Sequence, residues 1–274
     1  MLLLTLFACQ PAPDDAVVAD PETRAIVMSS LGFGRRDDAG VAWGFDVDHH
    51  VSEAGDDEGC GHADLVDGDG LPGIDSAFSG IVPALEASEA GAVESLVQDS
   101  IENGELLLLV ELSNVDDPLN DECVDVRVVR GTGTPLIGTD GTLLDGQTFA
   151  VAPGTQPAEL TCVPLVNGSV RAGPFKLPLE LQVLDVEVTF GLRDTWLRLD
   201  LAEDGRIGWG YFGGAVPTSD ILVIVDEGDL ADIAPLVRGL VGAAADLEPN
   251  DEGTCDALSI VFEFGAIEAF VHEG

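Results

Sequence analysis

The chain has 274 residues, and its 51 acidic residues against 11 Lys and Arg give a formal net charge of -40 at pH 7. Phosphate backbones need clustered basic side chains, and Lys176 is the only lysine, so the composition excludes a nucleic-acid partner. Hydrophobic residues make up 46% of the chain and aromatic residues only 5%, which indicates a folded protein with an aliphatic core. Like charge at this density destabilises a compact state, and salt or bound divalent cations relieve the repulsion.

The N-terminus carries a short apolar run, residues 1–9, that ends in a small residue and a cysteine. A bilayer span takes about 20 apolar residues, so this run is too short to cross one. It resembles the end of a bacterial lipoprotein signal peptide with its lipobox at residues 6–9. The resemblance implies a signal peptide over residues 1–8 and a lipid anchor on Cys9 that attaches the protein to a membrane. Gln10, in the place of an Asp retention signal, implies an outer membrane lipoprotein, on the periplasmic side or at the cell surface. The alternative is a hydrophobic terminus with a chance cysteine.

The rest of the chain divides into a tether and one domain. Residues 9–38 are rich in Pro, Ala and Asp and have no sustained periodicity, which predicts a flexible tether. Apolar residues at helical spacing predict a helix over residues 76–103, and Pro83 and Gly91 indicate a kink or two shorter helices within it. A second helix is predicted to begin near Asp229 and to end near residue 244.

Strand patterns account for most of the remaining sequence. Two continuous apolar runs, residues 106–110 and 221–225, are typical of strands buried on both faces. Alternation of apolar with polar residues predicts four further strands, at residues 124–128, 186–190, 197–201 and 258–271. The Asp204-Gly205 pair predicts a hairpin turn into a strand over residues 206–212. We therefore predict one α+β domain over residues 39–274, mainly an antiparallel sheet or sandwich with two helices.

Four cysteines remain once Cys9 is assigned to the anchor: Cys60, Cys123, Cys162 and Cys255. An even number in an exported chain implies two disulfides, for which three pairings are possible. We prefer Cys123–Cys162, because these two flank the same β region and are the closest pair in sequence. That choice leaves Cys60–Cys255, which ties an acidic N-terminal loop to the last strand.

The densest group of chemically active residues lies between residues 46 and 75. Within it, residues 67–75 half-match a calcium loop, but Phe78 stands where an EF-hand needs an acid, so an EF-hand is excluded. Glycines that bend the chain between aspartates still predict a turn whose oxygens converge on calcium. The predicted ligands are Asp64, Asp67, Asp69 and Asp75, with Asp46 and Asp48 completing the shell. The alternative is an Asp/Gly-rich surface turn without an ion.

Three histidines in the same region, His49, His50 and His62, offer a weaker zinc hypothesis. Adjacent histidines in a strand point to opposite faces, so His49 and His50 are a poor pair of ligands for one ion. We expect solvent-exposed histidines instead.

This region also carries a resemblance to a known group. Gly59-Cys60-Gly61, Asp64, Gly73-Ile74-Asp75 and a late strand at residues 255–260 resemble uncharacterised lipoproteins of myxobacteria and related bacteria. The resemblance implies a shared architecture and an address in the cell envelope. It implies no activity.

Motifs with strong catalytic meaning do not occur: the sequence has no Gly-x-Ser-x-Gly, HExxH or Walker pattern. The glycine spacings at residues 68–73 and 208–213 lack the strand, turn and helix of a dinucleotide site. The aromatic residues within residues 208–213 could face a ligand, although aromatic residues in strands are more often part of the hydrophobic core.

We expect a non-catalytic cell-envelope lipoprotein, a binding or structural module stabilised by calcium, but the sequence does not decide whether the protein is an enzyme. One alternative is a secreted-side hydrolase with non-contiguous active-site residues, which a deep pocket lined by perturbed acids and a histidine would favour. Another is a lipid carrier, which needs an apolar cavity between sheet and helices. The sequence does not identify a protein or small-molecule partner.

Overall fold

The computed structural model describes residues 22–87, 93–183, 186–202, 205–227 and 234–273. The expected signal peptide and Cys9 lie outside these residues. The strands described are β1 (Glu22–Phe33), β2 (Leu65–Val66), β3 (Pro72–Ile74), β4 (Leu108–Val115), β5 (Asn120–Thr132), β6 (Gln147–Val151), β7 (Ala158–Val166), β8 (Ser169–Val183), β9 (Val186–Leu201), β10 (Ile207–Pro217), β11 (Leu247–Pro249) and β12 (Cys255–His272). The helices described are a 3-10 turn at Ala77–Gly80, α1 (Val82–Glu86), α2 (Val93–Glu102), α3 (Thr218–Glu227) and α4 (Ala234–Ala244).

Eight strands close into an antiparallel barrel in the order β1, β4, β5, β7, β8, β9, β10 and β12, after which β12 pairs back onto β1. The predicted antiparallel sheet is thus confirmed, and its closure is more specific than the predicted sheet or sandwich. Outside the ring, β6 runs parallel to the end of β12 and antiparallel to the end of β5. The predicted strands at residues 186–190 and 197–201 are one continuous strand, β9. Closure matters because it pairs every long strand on both sides.

The strand that closes the barrel lies where the sequence predicts a tether. β1 sits between β4 and β12, and Ile26, Val27 and Met28 are at most 3% exposed. The tether over residues 9–38 is therefore wrong from residue 22 onward, and the domain begins before residue 39. A register shift between Met28 and Ser30 explains the error, because a bulge breaks the alternation by which a strand is recognised.

The first predicted helix is confirmed as a broken one. The 3-10 turn, α1 and α2 together cover most of residues 76–103, and Pro83 stands in the first turn of α1, where a helix needs no N–H donor. Gly91 lies outside the described residues. Val97 and Ile101 of α2 are buried, and the helix packs against β1 and β8.

The C-terminal half contains one confirmed helix and one error. α4 is confirmed, although its predicted start at Asp229 lies outside the described residues. The predicted strand at residues 221–225 is wrong, because α3 occupies that segment. A short run of apolar residues looks the same in a buried strand and a buried helix. Here Asp220 in the first turn favours the helix through its dipole, and its carboxylate accepts a hydrogen bond of 3.1 Å from the backbone of Gly191 in β9.

Residues 34–75, which we call the covering segment, lie against the outside of the barrel. Inward residues of β9, β10 and β12 join a large aliphatic core, whereas outward residues such as Tyr211 and Val261 form a second cluster with Phe45 and Val47 of the covering segment. All three tryptophans of the chain pack against that second cluster: Trp43, Trp196 and Trp209. The aromatic residues of the 208–213 segment are therefore core.

Two arginines extend the second cluster, and two disulfides secure the fold. Arg171 lies 5.0 Å from the ring centroid of Phe45, and Arg198 lies 5.6 Å from that of Trp43. Both preferred disulfides are present. Cys60–Cys255 joins the covering segment to β12, and Cys123–Cys162 joins β5 to β7.

Candidate cation site and adjoining cleft

Three of the six predicted calcium ligands converge in the covering segment. One carboxylate oxygen from each of Asp46, Asp48 and Asp75 lies within 4.8 Å of the other two. The local backbone brings them together: Asp75 donates its N–H to the carbonyl of Phe45 (2.9 Å), and its carboxylate accepts the N–H of Val47 (2.6 Å). The chain from Phe45 onward therefore wraps around the Asp75 side chain, with an aspartate on each side of Val47.

The charge of this group is poorly compensated. Asp75 is only 3% exposed, and burial, reinforced by the nearby charge of Asp48, raises its pKa to about 9. Asp46 Oδ1 is buried and has no hydrogen-bond partner within the described part of the chain. A buried carboxylate oxygen without a donor is costly. Either a proton or a cation must therefore balance the charge here.

Asp64, the residue just before β2, lies beside the same group of carboxylates. Its carboxylate accepts the N–H of Ser52 (2.6 Å) and shares a hydrogen bond with Asp75. Burial, together with the charges of Asp48 and Asp46, raises the pKa of Asp64. Asp64 is thus a fourth predicted ligand that lies beside the converging three.

Asp67 and Asp69 do not belong to this group, so their prediction as ligands is not supported. Asp67 is buried, and its Oδ1 accepts the N–H groups of Asp69 (2.9 Å) and Leu71 (2.8 Å), which closes the turn between β2 and β3. The carboxylate of Asp69 faces Arg198 at 3.7 Å. The glycines of this turn therefore serve a hairpin and not a ring of ligands.

The histidines point to separate neighbours. His50 Nδ1 lies 2.9 Å from Glu58, and the ring of His49 meets Trp196 edge-on at 6.4 Å between centroids. His62 lines a cleft described next. Among the described residues, the one group of three potential ligands found contains aspartates and no histidine.

A cleft of about 210 Å³ lies where the covering segment meets the 3-10 turn and the end of α4. Its polar lining residues are Arg36, His62, Asp64, Ser76 and Asp246. Asp246 is 7% exposed; its carboxylate accepts the backbone N–H of Ser259 (2.8 Å) and the Ser259 hydroxyl (2.6 Å). Burial raises the pKa of Asp246 to about 7.

Sequence reasoning missed both Asp246 and Arg36. The only signal for Asp246 was a single acid between an apolar helix and an apolar strand. Arg36 lay in the predicted tether. Neither position has a motif, because the cleft forms from segments that are far apart in the chain.

Comparison with known proteins assigns no family. No family model matches the chain, no curated protein matches it, and no solved structure matches it. Among the described residues, no helix is long and apolar enough to cross a membrane. The function must therefore be argued from the site itself.

Proposed function

We propose that this protein is a non-catalytic cell-envelope lipoprotein, a binding or structural module whose covering segment is held in place by a calcium ion. The observation that carries the proposal is the convergence of Asp46, Asp48 and Asp75, together with a buried Oδ1 of Asp46 that has no hydrogen-bond partner among the described residues. The lipid anchor at Cys9 and the outer membrane location are part of the proposal and rest on the N-terminal sequence.

Calcium suits this group better than other common ions. It takes oxygen ligands at about 2.3–2.6 Å, so two ligands of one ion can lie up to about 5 Å apart. The observed limit of 4.8 Å is within that range. Three carboxylates do not fill a shell of about six to eight oxygens, so backbone carbonyls and water would complete it. Magnesium demands stricter geometry, and zinc favours imidazole or thiolate ligands, which this group lacks.

The ion would have a structural task. Asp46 and Asp48 flank Val47, which packs in the second cluster against the barrel, and Asp75 precedes the 3-10 turn. A cation shared among them would join the stretch around Val47 to the C-terminal end of the covering segment. It would also remove the like-charge repulsion that otherwise favours detachment of the segment.

The test is a thermal melt of the full-length protein in calcium and in EDTA. Calcium at about a hundredfold excess over its dissociation constant should add about 2.7 kcal/mol to the free energy of unfolding. Asp46→Asn and Asp75→Asn should abolish that gain. Asp69→Asn is the matched control, because it removes one charge from the same segment at a residue outside the group. Equal melting temperatures in calcium and EDTA would refute the calcium site.

The anchor has its own test. Globomycin treatment or Cys9→Ser should leave an unprocessed or soluble form, since lipidation requires the cysteine thiol. If the variant is still processed and still fractionates with membranes, the lipoprotein assignment is wrong.

The cleft favours a second candidate, a hydrolase on the secreted side. Asp64 and Asp246 line it with raised pKa values, and His62 lies with them, which is the combination expected of acid–base catalysis. A panel of ester and glycoside substrates would test this candidate. Turnover that disappears in both Asp246→Asn and His62→Gln would favour it over the non-catalytic module. A lipid carrier is less favoured, because Leu199, Phe212 and Phe264 fill the barrel interior.

A further inference from the structure

The charge balance of the cleft points to a ligand that the calcium proposal does not include. Most arginines of the protein have a carboxylate partner within 4.0 Å: Arg24, Arg35, Arg127, Arg130, Arg193, Arg198, Arg206 and Arg238. Arg36 lines the cleft, and within the described residues no carboxylate lies within that distance of it. Among the described residues Arg171 also lacks a carboxylate at that distance, but its guanidinium packs over the rings of Phe45 and Trp196, whereas that of Arg36 lines the cleft.

The acidic residues of the cleft have the reverse imbalance. Asp64 and Asp246 line the cleft, and across the described ranges no arginine or lysine lies within 4.0 Å of either carboxylate. The hydrogen bonds of Asp246 come from Ser259, whose hydroxyl also accepts the N–H of Ala77 (2.7 Å). That hydroxyl is held between Asp246 and the start of the 3-10 turn, so the Asp246 carboxylate is fixed in position.

The Arg36 guanidinium lies close to Gly80. A Cβ on Gly80 would lie 3.2 Å from Nη2 and 3.3 Å from Cζ of Arg36. A larger residue at position 80 would therefore obstruct the guanidinium. Ile81 and Ala244 supply apolar surface beside it.

We propose that this cleft binds a small zwitterion, a free α-amino acid, with its carboxylate on Arg36 and its ammonium group on Asp64 and Asp246. An anion alone would meet two carboxylates, and a simple cation would leave the guanidinium without a partner. A zwitterion can pair with the Arg36 guanidinium and with the carboxylates of Asp64 and Asp246 through charge-assisted hydrogen bonds. The cleft has room for about seven water molecules at about 30 Å³ each, which suits glycine, alanine or serine.

This inference deepens the binding role proposed above, and it does not require calcium. The experiment is calorimetric titration of the full-length protein at pH 8, above the pKa of about 7 of Asp246, with glycine, L-alanine and L-serine, in EDTA and again in calcium. Acetate and methylamine carry one charge each and serve as the single-charge probes. We expect saturable one-site binding of at least one amino acid and about tenfold weaker binding of both single-charge probes, because each forfeits one charged contact.

Three variants sharpen the test. Arg36→Gln should weaken amino-acid binding about tenfold, since it removes one charge-assisted contact. Gly80→Ala should also weaken it, because the added methyl group displaces the guanidinium while Arg36 remains. Lys176→Gln, which removes one positive charge from the exposed surface of β8, should change nothing.

The outcomes separate this proposal from the calcium proposal. No saturable binding of any of the three amino acids, or binding that Arg36→Gln leaves intact, overturns the zwitterion site. Methylamine binding as tightly as the amino acids also overturns it, because the cleft is then a cation site. Asp46→Asn should abolish the effect of calcium and leave amino-acid binding in place, so either proposal can fail alone.

Discussion

Inside the barrel, Leu199, Phe212 and Phe264 are at most 1% exposed and contact other apolar side chains. On the outside, the covering segment lies on a smaller cluster and brings together three aspartates, of which Asp75 is buried, Asp46 is half-buried and Asp48 is exposed. The first region is stabilised by apolar burial, which varies little with calcium or salt. The second is fastened by a disulfide and by aromatic and cation–π contacts, and it carries the group of converging aspartates. We therefore expect the stability of the covering segment, more than that of the barrel, to respond to calcium and salt.

Truncation inside the barrel should have the largest effect. Phe212→Ala should lower the free energy of unfolding by about 3–5 kcal/mol, because it removes a buried ring and leaves a cavity. Urea denaturation in calcium and in EDTA would measure the loss, which we expect to be equal in both. Leu136→Ala, at a residue that is 63% exposed, is the control and should change little. A calcium-dependent loss for Phe212→Ala would contradict the separation of the two regions.

Removal of the disulfides should come next. Each bridge should contribute about 2–4 kcal/mol. The sequence separations are 195 residues for Cys60–Cys255 and 39 for Cys123–Cys162, so loop entropy favours the first by about 1.4 kcal/mol.

Limited proteolysis distinguishes the two bridges further. Cys60→Ser with Cys255→Ser should expose the covering segment to cleavage before the barrel unfolds. Cys123→Ser with Cys162→Ser is the matched control and should not, because both cysteines lie in barrel strands. Equal protection of residues 34–75 in both double variants would show that the segment does not need its bridge.

The pH dependence of stability should be smaller. Folding raises the pKa of Asp246 from 3.8 to about 7 through burial, so the folded protein keeps a proton that the unfolded chain releases. The contribution of Asp246 to the free energy of unfolding should therefore fall as pH rises from about 4 to about 7 and then level off, whereas Asp75, whose pKa is raised to about 9, extends the fall of the total to higher pH. Asp246→Asn should reduce this fall, because the amide does not titrate.

Chemical denaturation at pH 5 and pH 8, in EDTA, would measure that difference. Asp251→Asn is the control, because Asp251 is an exposed acid that also precedes β12 in the sequence. This variant should keep the wild-type change of unfolding free energy with pH. A slope that Asp246→Asn leaves unchanged would mean that this carboxylate is well solvated in the folded protein.

The smallest effect should come from salt. If the net charge of -40 destabilises the fold, the melting temperature should rise with NaCl as screening sets in. We expect the rise to be larger in EDTA than in calcium, because calcium bound at the proposed site would neutralise the aspartate group. A flat response up to molar salt would mean that the acids are too dispersed to matter.

Local patterns in the sequence predicted much of the fold. Alternation of apolar and polar residues identified several strands of the barrel, and cysteine spacing predicted both disulfides. Closure could not be predicted in this way, because it depends on β1 pairing with β12, and the bulge near Met28 hides β1. The run at residues 221–225 failed for a different reason, since its pattern fits a strand and a helix equally well.

The sequence predicted that aspartates form the candidate site, but it did not predict which of them come together. Six aspartates were proposed as ligands, and the structure brings Asp46, Asp48 and Asp75 together with Asp64 beside them. Asp67 closes a hairpin instead, a role with the same Asp-Gly signature as a calcium turn. Arg36 and Asp246 carried no local signal, because their meaning comes from a cleft that exists only after distant segments meet.

The pairing of β1 with β12 also constrains the order of folding. The hydrogen bond from Gly265 to Ser30 spans 235 residues of sequence, and the strands on either side of it form the seam of the barrel. Contacts between residues so far apart in sequence form slowly, because the entropy cost of closing a long loop comes before the contacts contribute any stability. β1 leaves the ribosome early, yet one of its edges has no partner until nearly the whole chain has been made. During that interval an apolar strand edge is open to pairing with other chains. Aggregation during synthesis should therefore depend on how quickly β12 arrives.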